Sequence, residues 1–263
     1  MGGGGNDYPD NLAVTADSVY VGGTTYSSDF PGTAGGAQAA NASGNAEAFV
    51  ARLSPDLKTL IQATYLAGSG GGTEWANALT ITDGSVYVAG ITSSTDFPGT
   101  VGGFQATNAG GWDAFVARLS LNLKTLTQAT YLGGSGNEGG NALAMTADSI
   151  YVSGGTLSTD FPGTAGGVQA TNAGGSDVFV ARLSLDLKTL TQATYLGGSD
   201  DEGTPNTHSS ALAVTTDSVY IAGSTLSSDF PGTAGGVQAA NAGGADAFVA
   251  RLSLDLKTLT QAT

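Results

Sequence analysis

Apolar and polar residues alternate along this chain in short runs that Gly, Asp and Asn interrupt, and the runs recur in a fixed order. The stretch 142–196 shows the pattern most clearly. Ala142-Leu143-Ala144-Met145-Thr146 is followed by a tight turn at Ala147-Asp148 and then by Ser149-Ile150-Tyr151-Val152-Ser153. A long polar segment runs from about Gly154 to Ser176. Val178-Phe179-Val180-Ala181-Arg182-Leu183 comes next, then a short turn through Leu185-Asp186-Leu187-Lys188, then the run from Thr189 to Leu196. Period-two runs rich in β-branched and aromatic residues, bounded by Gly and Asp, predict four strands. No segment sustains a 3.6-residue period, so no helix is predicted.

The same four-strand pattern occurs four times. Asp-Phe-Pro-Gly-Thr begins at Asp29, Asp96, Asp160 and Asp229, and Ala-Arg-Leu-Ser places its Arg at 52, 118, 182 and 251. Lys58, Lys124, Lys188 and Lys257 each follow their Arg by six residues. A four-stranded antiparallel meander repeated every ~65 residues reads as a β-propeller blade with an enlarged loop between its second and third strands. The expected fold is therefore all-β: a β-propeller built of four-stranded antiparallel blades, four in this chain, as a single domain over 1–263. The blades fall at about 6–69, 70–135, 136–199 and 200–263. Met1-Gly2-Gly3 stands in the phase of Leu196-Gly197-Gly198 and Thr263 stands just before a Tyr-Leu step. That phase predicts four blades with their own strands rather than a seam shared between the first and last.

Composition narrows the function. Charged residues are only 11% of the chain, and 22 acids against 8 bases give a formal charge of −14. Such a surface repels phosphate backbones and anionic lipid, so nucleic acid and membrane surfaces are poor partners. The 8 bases are the four Arg and four Lys of the repeats, so no separate basic patch exists. Cysteine is absent, which excludes thiol chemistry and disulfides. Met1-Gly2-Gly3-Gly4-Gly5-Asn6 has neither the basic nor the apolar region of a signal peptide, and no apolar run nears the ~18 residues of a membrane span.

Three motifs per copy carry a resemblance. Ser-Thr-Asp-Phe-Pro-Gly-Thr (94–100), Asp-Ala-Phe-Val-Ala-Arg-Leu (113–119) and Ala-Thr-Tyr-Leu-Gly-Gly-Ser-Gly (129–136) resemble the SBBP, or "seven-bladed β-propeller", repeat of bacterial proteins. The resemblance covers essentially the whole chain, four times over. It implies a propeller fold and an exported or cell-surface bacterial protein, and it implies no activity. The four copies depart from the number in the family's name, so the count of blades per ring stays open.

Candidate chemistry is sparse. Asp29, Asp96, Asp160 and Asp229 could form a ring of carboxylates for cations or sugar hydroxyls. The preferred reading is a turn device, in which Asp accepts backbone N–H bonds, Phe anchors the loop and Pro-Gly makes a tight turn. Arg52, Arg118, Arg182 and Arg251 each follow an acid by five residues (Glu47, Asp113, Asp177, Asp246). Five residues along a strand put the two on opposite faces, so structural ion pairs across blade–blade interfaces are expected. The four Lys read as solvated hairpin positions.

One segment breaks the repeat: Asp200-Asp201-Glu202-Gly203-Thr204-Pro205-Asn206-Thr207-His208, with the sole histidine. Asp200, Asp201, Glu202 and His208 are a candidate Ca2+ site by donor type, although the spacing matches no known ligand loop and a solvated acidic loop is preferred. Gly70-Gly71-Gly72 and Gly133-Gly134-Ser135-Gly136 lack the Lys-Ser/Thr and helix of a phosphate loop. Trp75 and Trp112 are not repeated and suit either packing or contacts with sugars.

With one His and no Cys, nucleophile–base pairs are scarce, so no enzyme and no cofactor are expected. The sequence reads as a non-enzymatic extracellular structural or interaction module for self-assembly or adhesion, whose partners are itself, another surface protein or glycans. The alternatives are a carbohydrate- or cation-binding propeller using the long loops and, last, an acid-pair glycosidase. Ring closure allows one monomeric four-bladed ring, which is favoured, a homodimer with eight blades, or part of a longer array.

Overall fold

The computed structural model describes residues 1–82, 84–203 and 210–263 and divides into two compact units. The first is Met1–Asn108 with Trp112–Tyr131, and the second is Ala109–Gly111 with Leu132–Thr263. Each holds two repeats.

In the first unit, β1 (Asp7–Val14), β2 (Val19–Thr25), β3 (Glu47–Leu53) and β4 (Leu60–Leu66) form one sheet. A second sheet contains β5 (Glu74–Ile81), β6 (Ser85–Thr92), β7 (Asp113–Ser120) and β8 (Leu126–Leu132). The second unit repeats this arrangement. Its sheets are β9 (Ala142–Met145), β10 (Ser149–Thr156), β11 (Asp177–Ser184) and β12 (Leu190–Leu196), then β13 (Ala211–Val214), β14 (Ser218–Thr225), β15 (Asp246–Ser253) and β16 (Leu259–Ala262). All four sheets have meander order, and their mapped strand pairs are antiparallel. Among the described residues there is no helix. The architecture is thus all-β, four antiparallel four-stranded sheets, as the hydrophobic pattern predicts.

The second strands are longer than the pattern suggests, because β10 continues through Gly154-Gly155-Thr156. These glycines resemble a turn in sequence. In the sheet, a Cβ on Gly154 would overlap the carbonyl oxygen of Gly139, so glycine is what allows the strand to continue beside that segment.

The turn between the third and fourth strands is built around a leucine. Leu57, Leu123, Leu187 and Leu256 have φ between 57° and 61°, where L-residues with bulky side chains are uncommon. The turn around Leu187 is fixed locally: Leu187 N donates to Ser184 O (2.9 Å), and Asp186 Oδ1 accepts from Ser184 Oγ (2.6 Å) and Lys188 N (3.2 Å). The register shifts just before this turn, between Arg182 and Leu183, and likewise at Arg52/Leu53 and Arg251/Leu252.

Each unit has an apolar core between its two sheets. In the first, Tyr20, Ala48, Val50 and Leu66 meet Val86, Val88, Phe115, Ala117, Leu119 and Leu123, with Leu79 and Ile81 at the margin. In the second, Tyr151, Val178, Val180 and Leu196 meet Val219, Ile221, Phe248, Ala250, Leu252 and Leu256. Burying a Val, Leu or Phe stabilises by roughly 1.5–3 kcal/mol each, so these faces dominate each unit.

The long loops are folded back rather than projecting throughout. Gln62 Nε2 donates to Gly32 O (2.8 Å) and Ala34 O (3.1 Å), Ala63 N donates to Gly32 O (2.7 Å), and Tyr65 N donates to Gln38 O (3.0 Å). The loop therefore covers the outer edge of β4, and the Gln of each Thr-Gln-Ala-Thr or Ile-Gln-Ala-Thr run repeats the contact (Gln128, Gln192, Gln261). Covering an exposed strand edge removes a template for unwanted pairing.

Candidate functional site

The Asp-Phe-Pro-Gly loop latches onto the Gly-rich segment that leads into its own repeat. Gly4 N donates to Asp29 Oδ1 (2.7 Å), Ser69 N to Asp96 Oδ2 (3.1 Å), Ser135 N to Asp160 Oδ1 (2.9 Å) and Ser199 N to Asp229 Oδ1 (2.8 Å). The Ser69, Ser135 and Ser199 hydroxyls donate to the same carboxylates. These bonds hold three of the groups below the usual carboxylate range. The Ser69 hydroxyl contributes most at Asp96, and the backbone N–H groups of Ser135 and Ser199 contribute most at Asp160 and Asp229.

The Phe that follows is buried against the next strand: Phe97 stacks on Phe115 with centroids 4.5 Å apart. Tyr131 closes the loop, its hydroxyl accepting from Phe97 N (2.8 Å) and donating to Ser94 O (2.8 Å). Burial pushes that phenol up to about 12. Gly99, at φ 76°, supplies the left-handed turn residue. Each Asp thus ties its loop to the segment that precedes its repeat, while Pro-Gly makes the turn itself.

The arginines take a different partner from the one the spacing suggests. Arg52, Arg118, Arg182 and Arg251 lie opposite Tyr20, Tyr87, Tyr151 and Tyr220 on the neighbouring strand of the same sheet. Each guanidinium sits 5.7–5.8 Å from its ring centroid. Their Nε atoms donate to Ser18, Ser85, Ser149 and Ser218 Oγ at 2.7–2.9 Å. Arg182 and Arg251 also reach Asp148 (3.5 Å) and Asp217 (3.3 Å) in the turn before the second strand. The expected pairing across a blade interface is corrected to stacking and hydrogen bonding within one sheet. A planar guanidinium over a directly opposed Tyr is the nearer and less hydrated arrangement.

The acids placed beside those arginines in sequence are buried elsewhere. Glu47, Asp113 and Asp177 begin their third strands fully inaccessible, and so do Glu74, Glu138 and Glu202 at the entrance of the following repeats. Glu74 N donates to Ala46 O (3.0 Å) and Glu202 N to Ser176 O (2.6 Å), which sets a carboxyl from one repeat beside a carboxyl from the next.

In the first unit, Glu47 Oε1 accepts from Ala42 N (2.5 Å) and Ser43 N (2.6 Å), and Glu74 Oε1 accepts from Thr92 Oγ1 (2.9 Å) and Ser94 Oγ. The Oε2 atoms of both lack a hydrogen-bond partner. In the second unit, Asp177 Oδ2 accepts from Ala173 N (3.0 Å) and Gln169 Nε2 (2.9 Å), while Glu202 accepts from Thr225 Oγ1 (2.6 Å) and Gly198 N (2.7 Å). Asp177 Oδ1 and Glu202 Oε2 converge where a Cβ on Gly197 would lie.

Burial first, and then the neighbouring carboxylate, raise these groups: Glu74 to about 7, with Glu47 adding to it, and Asp177 to about 6, with Glu202 adding to it. Glu47 and Glu138 are raised by burial as well. Sequence reasoning missed these pairs by assigning one member to Arg. The available signal was a second repeating acid, Asp7, Glu74, Glu138 and Glu202, a short distance before each first-strand apolar run.

The described acids of the insertion, Asp200, Asp201 and Glu202, go to different places. Asp201 Oδ1 accepts from Ser176 N (2.8 Å), Asp200 is exposed, and Glu202 belongs to the buried pair. His208 lies outside the described residues. Among the described residues no three acids or histidines are grouped to hold a metal, and no helix is long and apolar enough to cross a membrane. Trp75 and Trp112 lie together in the first unit, partly exposed, with ring centroids 5.6 Å apart.

No protein-family model matches the chain, and no curated protein matches it either. Among solved structures, the endosialidase of phage phi92 is similar at TM-score 0.45 and 13% identity, over 90% of this chain and 33% of that one. The Kuenenia stuttgartiensis hydrazine synthase is similar at TM-score 0.37 and 10% identity, over 94% of this chain and 63% of that one. The chain therefore spans a third of the first and under two thirds of the second, and likeness this distant carries no functional statement.

Proposed function

We propose that this chain is a non-enzymatic structural and interaction module, its four sheets serving as propeller blades that display one loop surface four times. The observation that carries the reading is where the repeated chemistry goes. The loop Asp, the stacked Arg and the buried carboxyl pairs are each engaged by groups of the scaffold itself. What remains repeated and exposed is the outer arc of each long loop, rich in Gly, Ala and Asn, as at 101–111. Near-identical copies of one patch suit multivalent contact with a repetitive partner, where avidity exceeds the affinity of any single site. The partner is the protein itself, another surface protein or a glycan, and the resemblance of the repeat supports an exported, cell-surface setting in a bacterium.

Electron microscopy of the purified chain, alone and with bacterial cells, tests this. Ordered assemblies or cell decoration are expected. Dispersed particles that leave cells undecorated count against it.

A second reading has one specific observation behind it: the partly exposed Trp75–Trp112 pair suits stacking on a sugar ring. Tryptophan fluorescence titrated with oligosaccharides, repeated with Trp75→Ala, separates the two readings. A saturable change lost in the variant favours sugar binding.

A further inference from the structure

The two ends of the repeat array expose faces that bury each other wherever they meet inside a unit. In the first unit, the second sheet offers Leu79, Ile81, Val86, Val88 and Leu123, and the first sheet receives them on Tyr20, Ala48, Val50 and Leu66. The second unit repeats the contact, with Leu212, Val214, Val219, Ile221 and Leu256 against Tyr151, Val178, Val180 and Leu196. Two hydrogen bonds fix each register. Tyr20 Oη donates to Leu121 O (2.8 Å) and Ala37 N to Leu123 O (2.9 Å). Tyr151 Oη donates to Leu254 O (2.9 Å) and Val168 N to Leu256 O (2.9 Å). The left-handed Leu is the knob of this contact, its side chain buried and its carbonyl bonded.

The donor face recurs on the first sheet at Leu12, Val14 and Leu57, which are 66%, 65% and 64% exposed, whereas Leu123, Leu187 and Leu256 are fully buried. The receiving face recurs on the fourth sheet at Tyr220, Val237, Ala247 and Val249. Val237, in the place of Val168, is 99% exposed, and Val249, in the place of Val180, is 47% exposed. A left-handed leucine is strained relative to a relaxed backbone. At Leu123 and Leu256, burial and the carbonyl hydrogen bond offset this; at Leu57 the strain stands beside an exposed side chain.

We propose that a second copy of this chain docks its Leu12–Val14–Leu57 face on the Tyr220–Val237–Val249 face of the first. Val237 N would then donate to Leu57 O and Tyr220 Oη to Pro55 O, as their counterparts do within each unit. The occupant is specified because equivalent apolar positions already pack in one register twice in this chain. The contact is heterologous, so it closes a ring of copies or extends head to tail according to the angle between copies. It rests on the interaction-module reading and deepens it by naming the partner and assigning self-association to sheet faces rather than loops.

Sedimentation velocity at micromolar chain concentration tests it. The wild type is expected at two or more multiples of 25.8 kDa. Leu57→Gly removes the knob and relieves the left-handed backbone, so folding is preserved, while the association midpoint should rise at least tenfold. Val237→Asp should do the same from the other face, with circular dichroism unchanged in both. Each variant keeps the face the other has lost, so an equimolar mixture should recover a two-chain species. A monomeric wild type, variants that associate as before, or a mixture that stays monomeric overturns the inference. A monomeric chain that still decorates cells leaves the loop-based reading standing, whereas an assembling chain that binds no cells and forms no ordered particles defeats that reading alone.

Discussion

A carboxyl group taken out of water holds its proton more tightly, and a second carboxyl beside it tightens that hold further. Glu74 meets both conditions. It is fully buried at the start of β5, has the Glu47 charge of β3 close enough to raise it further, and accepts hydrogen bonds from the neutral hydroxyls of Thr92 and Ser94 beside the end of β6, with the Gly68 backbone N–H a weaker contributor. No arginine or lysine contributes to its shift.

The sign of the pH effect follows. Folding raises this group from its ordinary 4.5 to about 7, so its stabilisation is complete below pH 4.5 and is lost as pH climbs towards 7. The second pair loses its share between 3.8 and about 6, through Asp177. Glu74→Gln, which stays neutral at every pH and puts an amide N–H donor in place of the acid's O–H, should flatten the decline in urea-unfolding stability between pH 4.5 and 7. The effect should be on the order of 2–3 kcal/mol across that window. An unchanged pH profile in the variant would show that Glu74 does not hold the proton.

At the scale of the element, the copies explain one another's substitutions. The residue after each Tyr-Leu is Gly133 or Gly197 where the third strand starts with Asp113 or Asp177, and Ala67 where it starts with Glu47. A methyl group at Gly197 would overlap both Asp177 Oδ1 and Glu202 Oε2. The copy that carries the methyl is also the copy whose acid is one methylene longer, and so can reach past it. Gly197→Ala should therefore destabilise the second unit by roughly 1–3 kcal/mol through overpacking. Asp177→Glu in the same chain should recover part of that loss in a thermal melt. Additive losses in the double variant would refute the compensation.

Strands were legible at this scale because runs rich in β-branched and aromatic residues are bounded by Gly and Asp, even though several of them, such as β6 and β10, are buried on both faces. The stacking of Arg118 on Tyr87 was not legible. Cross-strand opposition depends on register, and spacing within one strand says nothing of the neighbour. The left-handed leucines were equally hidden, since leucine is not the residue that normally signals positive φ. The Asp29, Asp96, Asp160 and Asp229 loops were legible in part: Pro-Gly marks a turn locally, whereas the backbone N–H groups that reach each Asp come from 25 to 30 residues earlier and carry no local signal.

For the molecule as a whole, 22 acids against 8 bases leave a strong self-repulsion that counter-ions screen. Raising sodium chloride from about 10 mM to about 0.5 M should raise the melting temperature by a few degrees, since screening favours compact over expanded chains. A fall in melting temperature with salt would instead assign net attraction to the charge pattern, with the Arg182–Asp148 and Arg251–Asp217 pairs its clearest members.

The sequence by itself determined the repeat, its four strands, the all-β class and the absence of thiol chemistry, because these depend on local periodicity and inventory. Only the tertiary structure decided which acids face each other, what the arginines touch, and which apolar faces are covered. Those depend on atoms brought together from different strands and different repeats, and one-dimensional spacing does not encode their approach. The four copies are nearly alike in sequence, yet Leu57 is exposed where Leu123 and Leu256 are buried. Burial belongs to the neighbour as much as to the residue.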